Sequence, residues 1–294
     1  MSELTIGLPV YNDKKFIQQS IDSILNQSFR DFVLIISDDC STDGSGAICL
    51  QYAQTDSRIK YIRQEKNIGI SRNMQFLLSQ AKTKYFMWAG DDDIMHSDFV
   101  TKLHQALEDV PTATSAFCTS QFIDEQNRKI KTIDYNYQNN NTRQRVKNYI
   151  KNSSDVWGYG MFRTTDIAGV EFPVWWWPNA KTPYNNIYPT LAYYLAKGDF
   201  TYLHGEPLFY KRVKTELSVN HIVTGGGNGI KESLAFWIRR FNLVVFTIQQ
   251  LKHARGLWFA LYYIPCLLWY WFVVPSWQQF VLLFKALLRR LRIG

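Results

Sequence analysis

The chain has 294 residues, of which 46% are hydrophobic, 20% charged and 16% aromatic; this excludes a disordered or collagen-like polymer and is enough to bury a core. Lys and Arg number 33 against 25 acids, a net charge of +8 that taken alone points to nucleic acid. The distribution argues otherwise. Residues 231–294 carry nine bases and one acid, Glu232, so the first 230 residues are neutral. Bases interleaved with apolar residues in a tail suit an anionic membrane surface better than a nucleic-acid groove, and no nucleic-acid partner is expected.

Leu4 to Val10 is an apolar run with the character of a buried strand, and it begins without the basic head and long apolar stretch of a secretory signal. Apolar residues at Phe16, Ile17, Ile21, Ile24 and Leu25 then predict a helix over Lys14 to Asn26. A second strand, Phe32 to Ser37, stops at the turn-rich stretch 38–45, from which a helix over Ala47 to Ala53 departs. Ile59 to Arg63 reads as a strand, Ser71 to Ser79 as a helix, Tyr85 to Trp88 as a strand, and Asp98 to Glu108 as a helix ended by Pro111. Such β-α alternation implies a parallel sheet covered by helices, with ligands bound beyond the carboxyl ends of the strands. Cysteines 40, 49, 118 and 266 have no metal-binding spacing and are expected to be reduced, buried thiols of a cytosolic protein.

Two acidic segments, 38–43 and 91–93, directly follow strands and should share one edge of the sheet. Asp91, Asp92 and Asp93 repel one another unless a hard cation takes their oxygens. With no His or Cys beside them, that cation is Mg²⁺ or Mn²⁺ rather than zinc; the alternative is a solvated acidic turn that caps the next helix.

Five segments in order resemble the inverting family 2 glycosyltransferases, which have a GT-A fold. They are Gly7-Leu8-Pro9-Val10-Tyr11-Asn12; Ser28-Phe29-Arg30-Asp31-Phe32; Ser37-Asp38-Asp39-Cys40-Ser41-Thr42-Asp43-Gly44-Ser45; Asn67-Ile68-Gly69 with Arg72-Asn73; and Tyr85 through Asp93. Together they span roughly residues 3 to 125. Tyr159 to Arg163 and Pro207 to Arg212 look more faintly like the segments that close the acceptor side in the same family.

The resemblance implies a nucleotide-sugar site in which Pro9, Tyr11 and Asp39 hold base and ribose, with Asn12 and Asp38 beside them. Asp39 would accept from a uracil or thymine N–H. Arg72 falls where a base meets the nucleotide or diphosphate, or else it is a helix-surface arginine. Asp91 and Asp93 would form the DXD element and hold the metal, with Asp92 able to take either role because the motif pairs in two registers. An inverting transfer also needs a general base, which the family supplies as a carboxylate well after the DXD element. Phe172 to Gly198 contains no Asp or Glu, Asn185-Asn186 stand near the expected place, and the nearest acids are Asp155, Asp166 and Glu171.

Trp175-Trp176-Trp177 fits an acceptor platform that stacks on sugar faces, or a packing or membrane-facing edge. The glycine-rich stretch 224–229 fits a lid or a linker. Gly256 to Phe284 carries no charge over 29 residues, but Pro265 and Pro275 cut it into nine-residue pieces and 11 of the 29 are aromatic. That composition favours helices at a membrane interface over one clean span. Lys285, Arg289 and Arg292 then share a helical face, as in a basic amphipathic or docking helix.

The resulting expectation is a GT-A domain at 1–225, mostly parallel sheet with helices on both faces, split into a nucleotide-sugar half (1–125) and an acceptor half (126–225). A helical membrane-associating extension (226–294) would follow. The implied activity is metal-dependent transfer from a UDP- or dTDP-sugar to a glycan or lipid-linked glycan, at the cytoplasmic face of a bacterial membrane and in polysaccharide assembly. Two alternatives stand beside it. One is a nucleotidyltransferase, which usually carries a Gly-rich, Lys- or Arg-containing loop that the Pro9-Val10-Tyr11-Asn12 turn lacks. The other is an inactive nucleotide-sugar-binding scaffold.

Overall fold

A computed structural model describes residues 2–134, 141–152, 154–172, 174–175, 184–185, 187–214 and 230–274. In the first half, strands β1 (Leu4–Val10), β2 (Phe32–Asp38), β3 (Ile59–Arg63), β4 (Tyr85–Trp88) and β5 (Ile94–Met95) are interleaved with helices. These are α1 (Ile17–Leu25), α2 (Ser45–Thr55), α3 (Ile70–Ser79) and α4 (Phe99–Asp109). The helices start and stop within three residues of the periodicity-based bounds, α3 ending at Ser79 as expected, because caps and turns rather than hydrophobic spacing decide their ends. Residue 14 begins a turn in which the Asp13 carbonyl accepts from the Phe16 and Ile17 N–H groups, so α1 starts at Ile17.

Then come β6 (Ala113–Cys118), β7 (Ser120–Ile123), β8 (Lys129–Ile133), α5 (Thr142–Asn152), a 3₁₀ turn (Asp155–Gly158), β9 (Met161–Arg163) and α6 (Thr164–Ile167). A small pair, β10 (Val174–Trp175) and β11 (Tyr184–Asn185), precedes α7 (Tyr188–Lys197), β12 (Asp199–Leu203) and β13 (Phe209–Arg212). The main sheet has the order β12-β6-β9-β4-β1-β2-β3. Its pairings are parallel except that β9 runs antiparallel to both β4 and β6. A second sheet, β5-β13-β7-β8, lies beside it.

Alternation along each strand divides the core. Leu4, Ile6, Leu8, Val10, Leu34, Ile36, Tyr85 and Met87 pack on one face, with α1 and α4. Ile35, Phe86 and Trp88 turn to the other face, with α3, α5 and α7. Both faces are covered, which is why β1 is buried at all seven positions and reads as an unbroken apolar run.

The C-terminal helices α8 (Ile230–Arg255), α9 (Leu257–Leu261) and α10 (Ile264–Leu267), with a π-helical turn over Leu268–Val273, join the second core. Leu243, Val244, Thr247 and Leu251 make the inward stripe of α8 against α7. Flanked by α5 and α8, α7 is buried from Pro189 through Ala196. Its last carbonyls have no helical donor, and buried Arg145 supplies one to Leu195 O at 2.9 Å and to Gly198 O at 2.8 Å. Among the described residues no helix is long and apolar enough to cross a membrane. Trp176-Trp177, Asn186, the stretch 224–229 and the basic residues Lys285, Arg289 and Arg292 lie outside the described residues. Cys49 and Cys118 are buried thiols as expected, whereas Cys40 and Cys266 are only half-buried because each sits at a surface turn or helix side.

Candidate active site

Strands β1 and β2 are in register from Leu4↔Phe32 to Val10↔Asp38, so their carboxyl ends are level and the loops after them meet. Asn12, at φ 52°, stitches these loops: its N–H donates to Ser41 Oγ at 3.0 Å and its Oδ1 accepts from Thr42 N–H at 2.8 Å. Asp13 N–H donates to Ser45 Oγ at 2.9 Å, and Tyr11 N–H reaches Asp91 Oδ2 at 3.2 Å. The two acidic segments therefore do share one edge. Asn12 acts as a brace and is not among the residues lining the cleft.

The paired acids of the first segment separate. Asp38 is still in the strand and its side chain is fully buried, accepting from Arg63 Nη1 at 2.6 Å, Tyr61 OH at 2.8 Å and Ser41 N–H at 2.9 Å. Expected beside the nucleotide, it is instead turned into the protein by strand alternation and holds the loop there. Asp39, one residue on, lines the cleft. Its carboxylate accepts from the Ile68 and Gly69 N–H groups at 2.7 and 2.9 Å. Gly69, at φ 85°, gives the backbone the turn that presents both donors before α3. Burial pushes the Asp39 carboxyl up, and the two N–H donors oppose it.

The second segment divides in the same way. Ser20 Oγ donates to Gly90 O at 2.6 Å, which anchors the turn to α1. Asp93 is directed inward: Oδ1 accepts Arg212 N–H at 2.8 Å, and Oδ2 lies 3.7 Å from Lys211 Nζ. Burial pushes its carboxyl up to about 7, with Lys211 pulling the other way. Among the described residues Oδ2 is buried without a hydrogen-bond partner, and Asp93, expected as a metal ligand, stands outside the group of carboxylates that gathers at the cleft. The carboxylates that gather at the cleft are Asp13, Asp91 and Asp92, each offering an oxygen within 4.8 Å of the others. Burial raises the Asp91 carboxyl well above its ordinary range, and Asp92 and Asp13 add to this. Lys214 Nζ stands among them, 2.5 Å from Asp13 Oδ2 and 2.9 Å from Asp92 Oδ2. Burial alone would lower its affinity for a proton, but the carboxylates overcome this and raise it.

The cleft encloses about 450 Å³, with Pro9, Tyr11 and Asp39 on one side, Asp91 and Asp92 at its floor, and Tyr159 and Ile187 on the other. Among the described residues, Asn67 Oδ1, Asn73 Oδ1 and Trp88 Nε1, on residues that line the cleft, are buried without a hydrogen-bond partner. Exposed Arg72 is not among the lining residues.

On the Tyr159 side of the cleft, Lys211 Nζ lies 3.2 Å from Asp155 Oδ2 and donates to Tyr159 OH at 3.3 Å. It also sits 4.5 Å over the Tyr159 ring. The two segments singled out for the acceptor side thus meet. Asp155 is brought to this side, whereas Asp166 is not. Thr164 N–H bonds Lys84 O before β4, so α6 leaves from the opposite edge of the sheet. Glu171 is exposed, and its carbonyl, accepting from Thr190 Oγ1 and Gln250 Nε2, ties α7 to α8. Sequence reasoning missed Asp13 and Lys214. Asp13 directly follows the Pro9 to Asn12 motif, which was its one signal, and Lys214 carries none.

Residues 5–168 match the profile of Glycosyl transferase family 2, more than half of the chain. The glycosyltransferase GlyA of Streptococcus pneumoniae serotype 4 is 32% identical over 105 residues, 36% of this chain and 15% of that protein. The putative teichuronic acid biosynthesis glycosyltransferase TuaG of Bacillus subtilis is 35% identical over 114 residues, 39% of this chain and 44% of that one. The matched stretch thus spans less than half the length of either relative. Among solved structures, S. aureus TarS 1–349 in complex with UDP-GlcNAc superposes with a TM-score of 0.62 at 16% identity, covering 86% of this chain and 67% of that chain. The mannosyltransferase PcManGT from Pyrobaculum calidifontis, in complex with GDP-Man and Mn²⁺, gives 0.56 at 14% identity, covering 100% and 76%. With five motifs, sheet order and cleft in agreement, the chain belongs to glycosyl transferase family 2 and has its GT-A fold.

Proposed function

We propose that the chain transfers a sugar from a UDP- or dTDP-linked donor to a glycan or lipid-linked glycan, with inversion and the help of a divalent ion, at the cytoplasmic face of a bacterial membrane. What carries this reading is the cleft at the carboxyl edge of the sheet, with Asp39 on one wall and Asp91 and Asp92 at its floor. The relative named for teichuronic acid biosynthesis and the fold neighbour that binds UDP-GlcNAc support a polysaccharide role and a nucleotide-sugar donor.

The donor set suits a hard cation: three carboxylates and no nitrogen or sulfur, with the Lys214 ammonium standing in among them. Asp13, Asp91 and Asp92 would hold Mg²⁺ or Mn²⁺, which when bound neutralises the charge growing on the diphosphate leaving group. Pro9, Tyr11 and Asp39 bind and orient the nucleotide. Behind Tyr159 on the opposite wall, Asp155, paired with Lys211, takes the proton of the acceptor hydroxyl. The acceptor oxygen then bonds to the anomeric carbon as the bond from that carbon to the phosphate oxygen breaks, releasing the nucleoside diphosphate. Lys211 holds Asp155 in place beside Tyr159.

The lack of an acid between Phe172 and Gly198 favours a second reading, a donor-binding scaffold without turnover. Calorimetric titration of UDP, dTDP and GDP with and without Mn²⁺, on wild type and Asp92→Asn, tests the donor site. Metal-dependent binding of UDP or dTDP that the variant loses supports the proposal. No nucleotide bound under any metal condition sinks it, and binding without release of nucleotide from a donor sugar selects the scaffold.

A further inference from the structure

The helices after α8 are apolar on both sides. Ala260, Tyr263, Leu267 and Trp271 wind inward and are at most 3% exposed. The outer side is no less apolar: Trp258 is 83% exposed, Trp269 56%, Tyr262 53%, Leu257 48% and Leu268 41%. Large aromatic residues side by side on a surface mark a place that meets something other than water, and Trp and Tyr in particular favour the headgroup layer of a bilayer.

Charge identifies the partner. Helix α5 carries Arg143, Lys147 and Lys151 at successive intervals of four, which makes one exposed basic stripe. The stripe lies against the aromatic face, with Arg143 held 5.3 Å over the Tyr262 ring. Tyr263 OH donates to Arg143 O at 3.1 Å, and Trp271 Nε1 donates to Ile150 O at 2.7 Å. Exposed Lys252 and Arg255 close α8 beside it. Neither α5 nor residues 240–274 contain an acid. A second copy of the chain would set these cations against their own kind. The segment 275–294, whose charged residues are all Lys or Arg, is an equally poor complement. An anionic bilayer satisfies both the apolar face and its basic rim.

The face is also joined to the cleft. Ile187 lines the cleft, and the next residue, Tyr188, packs 6.4 Å ring to ring from Trp271 and gives its carbonyl to Tyr149 OH at 2.9 Å. We propose that the outer face of residues 257–273, with the α5 stripe, docks on an anionic bilayer and so holds the acceptor wall of the cleft close to the headgroups. A lipid-carried acceptor then reaches the cleft from the membrane; this last clause rests on the transferase reading, and the docking itself does not.

The test is co-sedimentation of the full chain with vesicles of phosphatidylcholine alone and of phosphatidylcholine containing phosphatidylglycerol, alongside UDP titration of the same proteins. Wild type is expected to bind the anionic vesicles at least about tenfold more tightly. Arg143→Glu/Lys147→Glu/Lys151→Glu loses that preference, Trp258→Ser/Trp269→Ser loses binding to both vesicles, and UDP affinity in each stays at the wild-type value. Equal binding of wild type to the two vesicles, or an undiminished preference in the triple variant, overturns the proposal. Vesicle binding by a wild-type chain that takes no nucleotide would leave the docking standing and remove the transferase reading.

Discussion

The Lys214 ammonium lies 2.5 Å from Asp13 Oδ2 and 2.9 Å from Asp92 Oδ2, which joins the first strand's loop to the acidic turn after β4 through one cation. A divalent ion that takes the same oxygens must compete with it. Lys214→Met is therefore expected to bind Mn²⁺ about tenfold more tightly in the absence of nucleotide, a change of about 1.4 kcal/mol. Its melting temperature in metal-free buffer should fall, because three carboxylates lose their counterion. Calorimetric titration with Mn²⁺ and a thermal melt decide the matter. Unchanged or weaker Mn²⁺ binding would show that the ammonium does not compete.

Gly90 leaves room for no side chain. A Cβ built there stands 2.3 Å from Asp93 Oδ2 and 2.9 Å from its Cγ. The Asp93 carboxylate is held from behind by Arg212 N–H, and the Arg212 side chain is itself spent on Asp92 O, Asp124 O and Gln19 Oε1. Gly90→Ala should cost about 1–3 kcal/mol, lower the melting temperature by about 2–4 °C for each, and weaken UDP binding by moving Asp91 and Asp92. A variant with wild-type melting and UDP affinity would mean that this turn tolerates displacement.

The strands were legible because a sheet covered on both faces writes itself as continuous apolar runs, and the cleft followed from where such runs end. Which acid faces the cleft was not legible. Asp38 and Asp39 differ by one residue and both are buried, yet Asp38 is bonded to Arg63, Tyr61 and Ser41 within the protein while Asp39 lies at the cleft. Asp93 looked like the far end of a metal motif, yet β13, more than a hundred residues on, takes one of its oxygens and sets Lys211 3.7 Å from the other. Lys214 reaches Asp13 across 201 residues, a pairing that no local pattern encodes. The aromatic C-terminal run read as one membrane-directed segment, but hydrophobicity alone does not say which way each residue points. Tyr263, Leu267 and Trp271 belong to the protein core, and only their opposite neighbours are exposed.

Far from the cleft, Glu108 accepts from Lys84 Nζ at 2.5 Å and from Tyr85 OH, and these donors hold its carboxyl down to about 2. A carboxylate whose affinity for protons falls on folding stabilises the protein above its unfolded pKa of about 4.3, and the gain is lost as pH drops through that value toward about 2. The side chain is 39% exposed, so solvent screening limits the effect to about 0.5 kcal/mol. Glu108→Gln should lower the melting temperature by about 1–2 °C at neutral pH, with the two proteins converging in acid. A difference that persists or grows in acid would rule this ion pair out as its source.

Asp155 and Lys211 separate chemistry from binding. Asp155 is paired with Lys211, which also donates to Tyr159 OH, and it is not among the residues lining the cleft. If it takes the acceptor's proton, Asp155→Asn should lower kcat by about 10²–10⁴ with little change in KM for the donor. Lys211→Met removes the cation shared by Asp93 and Asp155, so it should disturb the acidic turn as well and change both kcat and donor affinity. Release of UDP from a donor sugar, measured over a range of donor concentrations, distinguishes the two variants. An Asp155→Asn protein with wild-type kcat would place the base elsewhere, and equal losses of kcat and donor affinity in both variants would assign Asp155 to the architecture of the cleft and not to proton transfer.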